Sequence, residues 1–209
     1  MSQRTTGVHA VLSHPRVYQT YQRMVGSHRL WRHIIGELGV PPGGRLLDIG
    51  CGPGDVVEYL DDVDYLGFDL SESYIEQAND RFGHLDNRRF FAADVTTVDP
   101  DEIGQVDAVL SHGVLHHVGD EVAAAVFALG AEVLAGGGPM ITVDGCYVEG
   151  QSRAVKFLLD KDRGQDVRTA DAYVALAKPS FAQVSIDVRH DLLDENPNDP
   201  LLDARVAGW

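Results

Sequence analysis

Three acids and two clusters of special residues carry whatever chemistry this chain performs. The run Asp48-Ile49-Gly50-Cys51-Gly52-Pro53-Gly54 places glycines at alternate positions directly after an apolar stretch beginning at Leu46. Alternating glycines tolerate positive φ and let a ligand approach the backbone without Cβ obstruction. Such a turn between a buried strand and a helix start aims main-chain N–H groups at a nucleotide-like ligand. Asp69 follows Tyr65-Leu66-Gly67-Phe68, nineteen residues after Gly50. A carboxylate there can accept from two ribose hydroxyls, or it can simply cap the next helix. Asp94 follows Arg89-Phe90-Phe91-Ala92-Ala93, where an acid binds a ligand amine or closes an Asx-turn with Thr96 or Thr97. The fourth group is Ser111-His112-Gly113-Val114-Leu115-His116-His117, whose imidazoles titrate near neutrality and can move protons.

The ligand is not a dinucleotide on this pattern. A G-x-G-x-x-G loop starting at Gly50 requires glycine at position 55, and Asp55 stands there, where its charge would oppose a pyrophosphate. A ligand without phosphates and with positive charge fits better, and S-adenosylmethionine carries a sulfonium and an ammonium. Asp48-Ile49-Gly50-Cys51-Gly52-Pro53-Gly54 resembles the acid-x-G-x-G-x-G signature of class I S-adenosylmethionine-dependent methyltransferases, and Leu134-Ala135-Gly136-Gly137-Gly138-Pro139 resembles their L-x-P-G-G turn, with alanine at the usual proline. The resemblance spans roughly 45–143. It implies a Rossmann-like three-layer α/β sandwich with a mostly parallel sheet. It implies that Asp48, Gly50, Cys51, Gly52 and Gly54 form the cofactor loop, and that Asp69 and Leu70 meet the ribose and adenine. Asp94 and the Val95 amide would meet the adenine edge, and Ser111 and His112 the methionine end. Leu12 to Tyr18 and Asp162-Arg163-Gly164 with Val167-Arg168 resemble an uncharacterised bacterial subgroup of that family.

The residues themselves nominate the rest. Tyr18, an aromatic with a polar tip, is the N-terminal candidate for contact with the cofactor. His112 or His116 is the candidate base if the acceptor must lose a proton. His117 reads as a packed neighbour. Arg163 and Arg168 could each grip a carboxylate or phosphate of the acceptor, or pair with nearby acids. The adjacent His116 and His117 invite a metal, but neighbouring side chains diverge and no third ligand is near, so no metal is expected. The reading is methyl transfer to a small-molecule acceptor, with S-adenosylhomocysteine as product. Its rivals are a protein that binds S-adenosylmethionine without turnover and, behind it, a nicotinamide-dependent oxidoreductase.

Positioning these residues falls to alternating elements. Strands are predicted at Arg45–Ile49, Tyr65–Phe68, Arg89–Ala92, Ala108–Leu110, Pro139–Val143 and Gln183–Val188. Helices are predicted at Asp55–Leu60, Ser73–Phe82 with a Ser73/Glu76 capping box, Asp120–Leu134, Gln151–Leu159 and Thr169–Ala177. Pro15–Leu38 reads as one or two helices with an apolar face. One domain of 209 residues is expected: an N-terminal helical cap over 1–40, a cofactor-binding core over 45–143, an acceptor-side cover over 145–180, and a last part over 181–209. The turn-rich Asp194-Glu195-Asn196-Pro197-Asn198-Asp199-Pro200 leaves little chain for the usual terminal hairpin, so a truncated one is expected. A net charge of −15 argues against nucleic acid or an anionic membrane as partner. Met1 to Ala10 is mostly polar, and Cys51 and Cys146 are isolated, which suits a cytoplasmic, reducing setting.

Overall fold

The computed structural model describes residues 28–151, 166–189 and 206–208. Its centre is a sheet whose strands are β1 (Gly44–Ile49), β2 (Val63–Asp69), β3 (Arg88–Ala92), β4 (Ala108–His112), β5 (Met140–Tyr147), β6 (Arg168–Thr169), β7 (Asp187–Arg189) and β8 (Val206–Gly208). Helices are α1 (His28–Leu38), α2 (Glu72–Phe82), α3 (Pro100–Ile103), α4 (Asp120–Val133) and α5 (Ala170–Ala177). The spatial order is β3-β2-β1-β4-β5-β8-β7, with β6 paired to β5 beside this path. Strands β1 to β5 run parallel, and β8 is antiparallel to both β5 and β7.

Burial on both faces explains the near-continuous apolar runs of the central strands. Leu46, Tyr65, Ala108 and Leu110 face one layer with Leu30 and Ile34 of α1 and Ile75 and Ala78 of α2. Their neighbours Leu47, Leu66 and Val109 face the opposite layer with Ala123, Val126 and Val133 of α4 and Tyr173 of α5. Period-two alternation thus feeds two cores, and the expected three-layer sandwich follows. The order reverses at β1, whose neighbours are β2 on one side and β4 on the other. The crevice outside the carboxyl ends of strands at such a switch point is where open α/β sheets bind ligands.

Several local expectations change. The segment after the glycine loop is a 3₁₀ turn at Asp55–Tyr59, not an α-helix. Thirteen residues separate β1 from β2, and they must also make the loop. Helix α2 begins at Glu72 behind Ser71, which makes no side-chain capping bond, so the Ser73/Glu76 capping box is not formed. Thr169, by contrast, caps α5 by accepting from Ala172 N. The strand expected over Gln183–Val188 is confined to Asp187–Arg189. The terminal hairpin is truncated, β7 and β8 each being three residues long. Tyr18, Arg163, the expected helix Gln151–Leu159 beyond its first residue, and the part of Pro15–Leu38 before His28 lie outside the described residues.

Candidate active site

Strand β1 delivers the loop to the switch point, and each glycine in it has a separate reason to be there. Gly50, Gly52 and Gly54 all have positive φ, of 76°, 54° and 77°. A Cβ on Gly50 would come within 2.3 Å of a Val114 methyl, and one on Gly54 within 3.1 Å of the Phe90 ring. These two are fixed by packing as well as by conformation. Among the described residues, a Cβ on Gly52 would meet nothing within 4 Å. Gly52 therefore faces open space, as the ligand-facing residue of a cradle should.

Two strand-end carboxylates hold this loop. Asp69 accepts from Gly52 N at 3.0 Å and, through its other oxygen, from Ser71 N at 2.8 Å. One carboxylate thus fixes both the glycine turn after β1 and the turn into α2. Asp48 lies behind the loop, buried, accepting from the Tyr65 hydroxyl at 2.7 Å. Burial pushes its carboxyl up to about 7, against the lowering effect of Tyr65 and with a further rise from Asp69. Gly67 completes the seat: a Cβ there would come within 2.9 Å of the Cys51 side chain and 2.8 Å of the Tyr65 hydroxyl. Burial, then the charges of Asp48 and Asp69, push the Cys51 thiol up, so it stays protonated. Sequence reading passed over Gly67 and Tyr65. A glycine inside an otherwise apolar strand was the available signal.

Around the cradle, Leu70 is 74% exposed, an apolar side chain standing in solvent beside Asp69. Asp94 is also exposed. Its Oδ1 accepts from Thr96 N at 2.9 Å and the Thr96 hydroxyl at 2.8 Å, which is the Asx-turn alternative and which holds its carboxyl below the usual range. Val95 follows it, half-buried. Ser111 is fully buried and donates to the Ile49 carbonyl at 3.0 Å, tying β4 to β1. It serves the switch point from within the sheet, its donor spent on this bond and its lone pairs still able to accept. Asp55, the residue that argued against a pyrophosphate, is ion-paired with Arg81 at 2.6 Å. A groove of about 460 Å³ along the β3 edge, lined by Leu66, Arg88, Phe91 and Glu102 among others, shares no residue with the loop and lies apart from this chemistry.

The histidines gather at the carboxyl ends of β4 and β5. His112 is half-buried, with its ring 4.7 Å from that of Trp31 on α1. Desolvation pulls its imidazole down to about 4, so it is neutral at physiological pH. His116 lies in a 3₁₀ turn, Leu115–His117, and is 9% exposed. Its Nδ1 is 2.6 Å from Asp144 Oδ1, and its backbone N donates to the same oxygen at 3.1 Å. The exposed His117 ring lies 4.0 Å from that of His116. Asp144 and Trp31 were not singled out from the sequence, since one sits mid-strand and the other in an ordinary amphipathic helix. Among the described residues, no group of three or more His, Cys, Asp or Glu could hold a metal ion.

Arg168 pairs with an acid of the fold. Its Nε and one terminal nitrogen donate to Asp120 Oδ1 at 2.9 and 2.8 Å. The remaining N–H groups reach the carbonyls of Leu115, Asp166 and Val118 at 2.6, 2.9 and 2.8 Å. A guanidinium has five N–H donors, and all five are taken by the protein. Arg168 thus takes the alternative of pairing with an acid, and it ties the segment before α5 to the loop that carries His116.

The arrangement has counterparts. A family profile described as "Methyltransferase domain" matches residues 46–138. The chain is 28% identical to phosphoethanolamine N-methyltransferase 1 of Arabidopsis thaliana over 87% of its own length and 37% of that protein. It is 37% identical to 27-O-demethylrifamycin SV methyltransferase of Amycolatopsis mediterranei over 44% of its length and 36% of that protein. It thus spans well under half the length of these curated relatives. Among solved structures, geranyl diphosphate C-methyltransferase of Streptomyces coelicolor A3(2) matches 85% of this chain and 72% of its own, with a TM-score of 0.67 at 15% identity. With a mostly parallel sheet, an antiparallel strand beside β5 and this structural likeness, the chain has the class I, Rossmann-like fold of S-adenosylmethionine-dependent methyltransferases.

Proposed function

We propose that the chain transfers a methyl group from S-adenosylmethionine to a small organic acceptor. The carrying observation is the cradle: Gly52 turns its missing side chain toward open space while Asp69, at the end of the neighbouring strand, clamps its amide. The residues fit the cofactor. Gly50, Gly52 and Gly54 shape the loop, Asp69 offers a charged acceptor to hydroxyls, Leu70 offers an exposed apolar contact, and Asp94 with Val95 lies at the next strand end. When bound, S-adenosylmethionine supplies an electrophilic methyl on a sulfonium. The protein's part is alignment of the acceptor with it, worth several kcal/mol or more, and a base where the acceptor carries a proton. His116 is the base in this reading. His112, held neutral down to about pH 4, is too weakly basic to take a proton from a hydroxyl with comparable ease and shapes the pocket with Trp31. Tyr18 and Arg163 remain proposed contacts on the cofactor and acceptor sides.

The short terminal hairpin favours a second reading, in which the cofactor binds without turnover. Native mass spectrometry of the purified protein, followed by calorimetric titration with S-adenosylhomocysteine and with NADH, tests the first step. Binding of the methionine nucleoside and not of NADH is expected. NADH binding alone would overturn the proposal. Radiolabel transfer from S-adenosylmethionine across a panel of amines, hydroxyl compounds and phosphoethanolamine then separates transferase from binder.

A further inference from the structure

We infer that Asp144 is a positioning residue, fixing the His116 imidazole with its proton on Nδ1 so that Nε2 is the proton-accepting nitrogen of the proposed methyl transfer. The inference rests on that transfer reading for its role in catalysis. The geometry of the pair stands on its own.

The Asp144 side chain projects from β5 and is 1% exposed. Two donors from one residue converge on its Oδ1, the His116 backbone N and the ring Nδ1. The backbone contact can only be N–H donating to oxygen, so Oδ1 is an acceptor. With a carboxylate at Asp144, which only accepts, the ring nitrogen 2.6 Å from the same oxygen is the protonated one, and the lone pair belongs to Nε2. The double contact fixes the turn and the ring plane together. A histidine on a three-residue 3₁₀ turn would otherwise choose both freely.

The second observation is the other oxygen. Among the described residues, Asp144 Oδ2 is buried with no hydrogen-bond partner, and so is the hydroxyl of Thr142, two residues earlier on β5. Packing alone does not account for it: an unpaired buried carboxylate oxygen costs stability. It makes sense where a negative charge is wanted opposite a ring that becomes positive. From β4 His116 is faced by His112, and beside it on its own turn by His117. From the segment before α5 it is faced by the Asp166 backbone N, bound to the His116 carbonyl at 3.2 Å. Arg168 holds the carbonyls of Leu115 and Val118 on either side, and its charge is matched by Asp120.

The step balances without further reagents. As the acceptor atom bonds to the methyl carbon, the carbon–sulfur bond breaks and its electron pair stays on sulfur, so the sulfonium becomes a neutral thioether. The acceptor's proton passes to His116 Nε2. Asp144 faces the imidazolium through Nδ1–H until Nε2 gives the proton to solvent. This is the division of labour of a histidine base and a carboxylate that orients it.

The test is long-range proton–nitrogen correlation NMR of uniformly ¹⁵N-labelled protein at about pH 8, with the His116 signals identified by their loss in His116→Gln. Wild type is expected to show protonated Nδ1 and lone-pair Nε2. In Asp144→Asn, which keeps the shape and removes the charge, the ratio of the two tautomers should fall by about tenfold or more. A wild-type His116 protonated on Nε2 overturns the inference, as does an unchanged ratio in a folded Asp144→Asn. If that variant fails to fold, the wild-type spectrum alone decides. Titration with S-adenosylhomocysteine keeps the two readings apart. Failure to bind it, with the Nδ1–H tautomer present, removes the transferase reading and leaves the positioning geometry. Binding it with the other tautomer removes only the role of Asp144.

Discussion

At the scale of single residues, Asp69 has more to lose than a ligand contact. Its two oxygens bind the amides of Gly52 and Ser71, so the same carboxylate that is proposed to accept ribose hydroxyls also sets the loop those hydroxyls approach. Asp69→Ala should weaken S-adenosylhomocysteine binding by about 1.5–3 kcal/mol, on the order of ten- to hundredfold, in calorimetry. An unchanged dissociation constant in a folded variant would end the assignment. Asp48 and His112 make a second residue-scale prediction, in pH. Asp48 is raised from the ordinary carboxylate value to about 7 by burial. The folded state then binds more protons than the unfolded one between about pH 4 and 7, and stability falls as pH rises across that window. His112 is lowered to about 4, so its contribution is present above about pH 6.5 and is lost as pH falls toward 4. Each effect is on the order of 3 kcal/mol, less for the half-buried His112, and the two oppose one another. Urea denaturation of wild type should therefore vary little between pH 4.5 and 6.5. Asp48→Asn should uncover the His112 slope and lose stability on acidification. A flat profile in that variant would show that His112 is not held down.

Elements explain which of these features could be read in advance. Strands β1 to β4 and helices α2 and α4 declare themselves because each is a periodic run closed by a breaker. The glycine loop is legible because glycines at alternate positions directly after an apolar run leave a pattern in the sequence. Contacts between distant positions leave no such trace. Arg168 was open to an acceptor-gripping reading because nothing near it in sequence names Asp120 or the carbonyls of Leu115 and Val118, 48 to 53 positions away. Asp144 escaped notice for the same reason: its partner is 28 residues upstream. Helix α3 was missed although Asp99-Pro100 is a helix-start signature, with the Asp99 side chain accepting from Asp101 N, because four residues carry no period. The role of Arg168 gives the prediction at this scale. Arg168→Met deletes five hydrogen bonds and strands three carbonyls, so stability in urea should drop by about 2–4 kcal/mol. Affinity for S-adenosylhomocysteine should stay within about threefold, since the cradle is built from other elements. A variant of full stability would return Arg168 to the list of acceptor contacts.

For the whole molecule, the question is how a cradle open to solvent becomes a site from which water is excluded. The sheet supplies the floor at the switch point, and packed segments of the chain supply candidate walls. Two described segments reach toward the histidine cluster. Helix α1 places Trp31 against His112, and the segment before α5 binds the His116 carbonyl through Asp166 while Arg168 grips the same loop. Both meet the histidine turn through specific contacts, so a ligand that orders the turn would also damp local opening of these segments. Binding of a ligand that spans the loop and the histidine end should therefore slow hydrogen exchange at 28–38, at 112–118 and at 166–169, as well as at 50–54. A rigid, preformed site would behave differently, because its N–H groups already have partners and only loop amides newly covered by the ligand would gain protection. Exchange measured by mass spectrometry with and without S-adenosylhomocysteine separates the two. Protection confined to 50–54 would mean that α1 and the segment before α5 are static walls, and that exclusion of water depends on the acceptor itself.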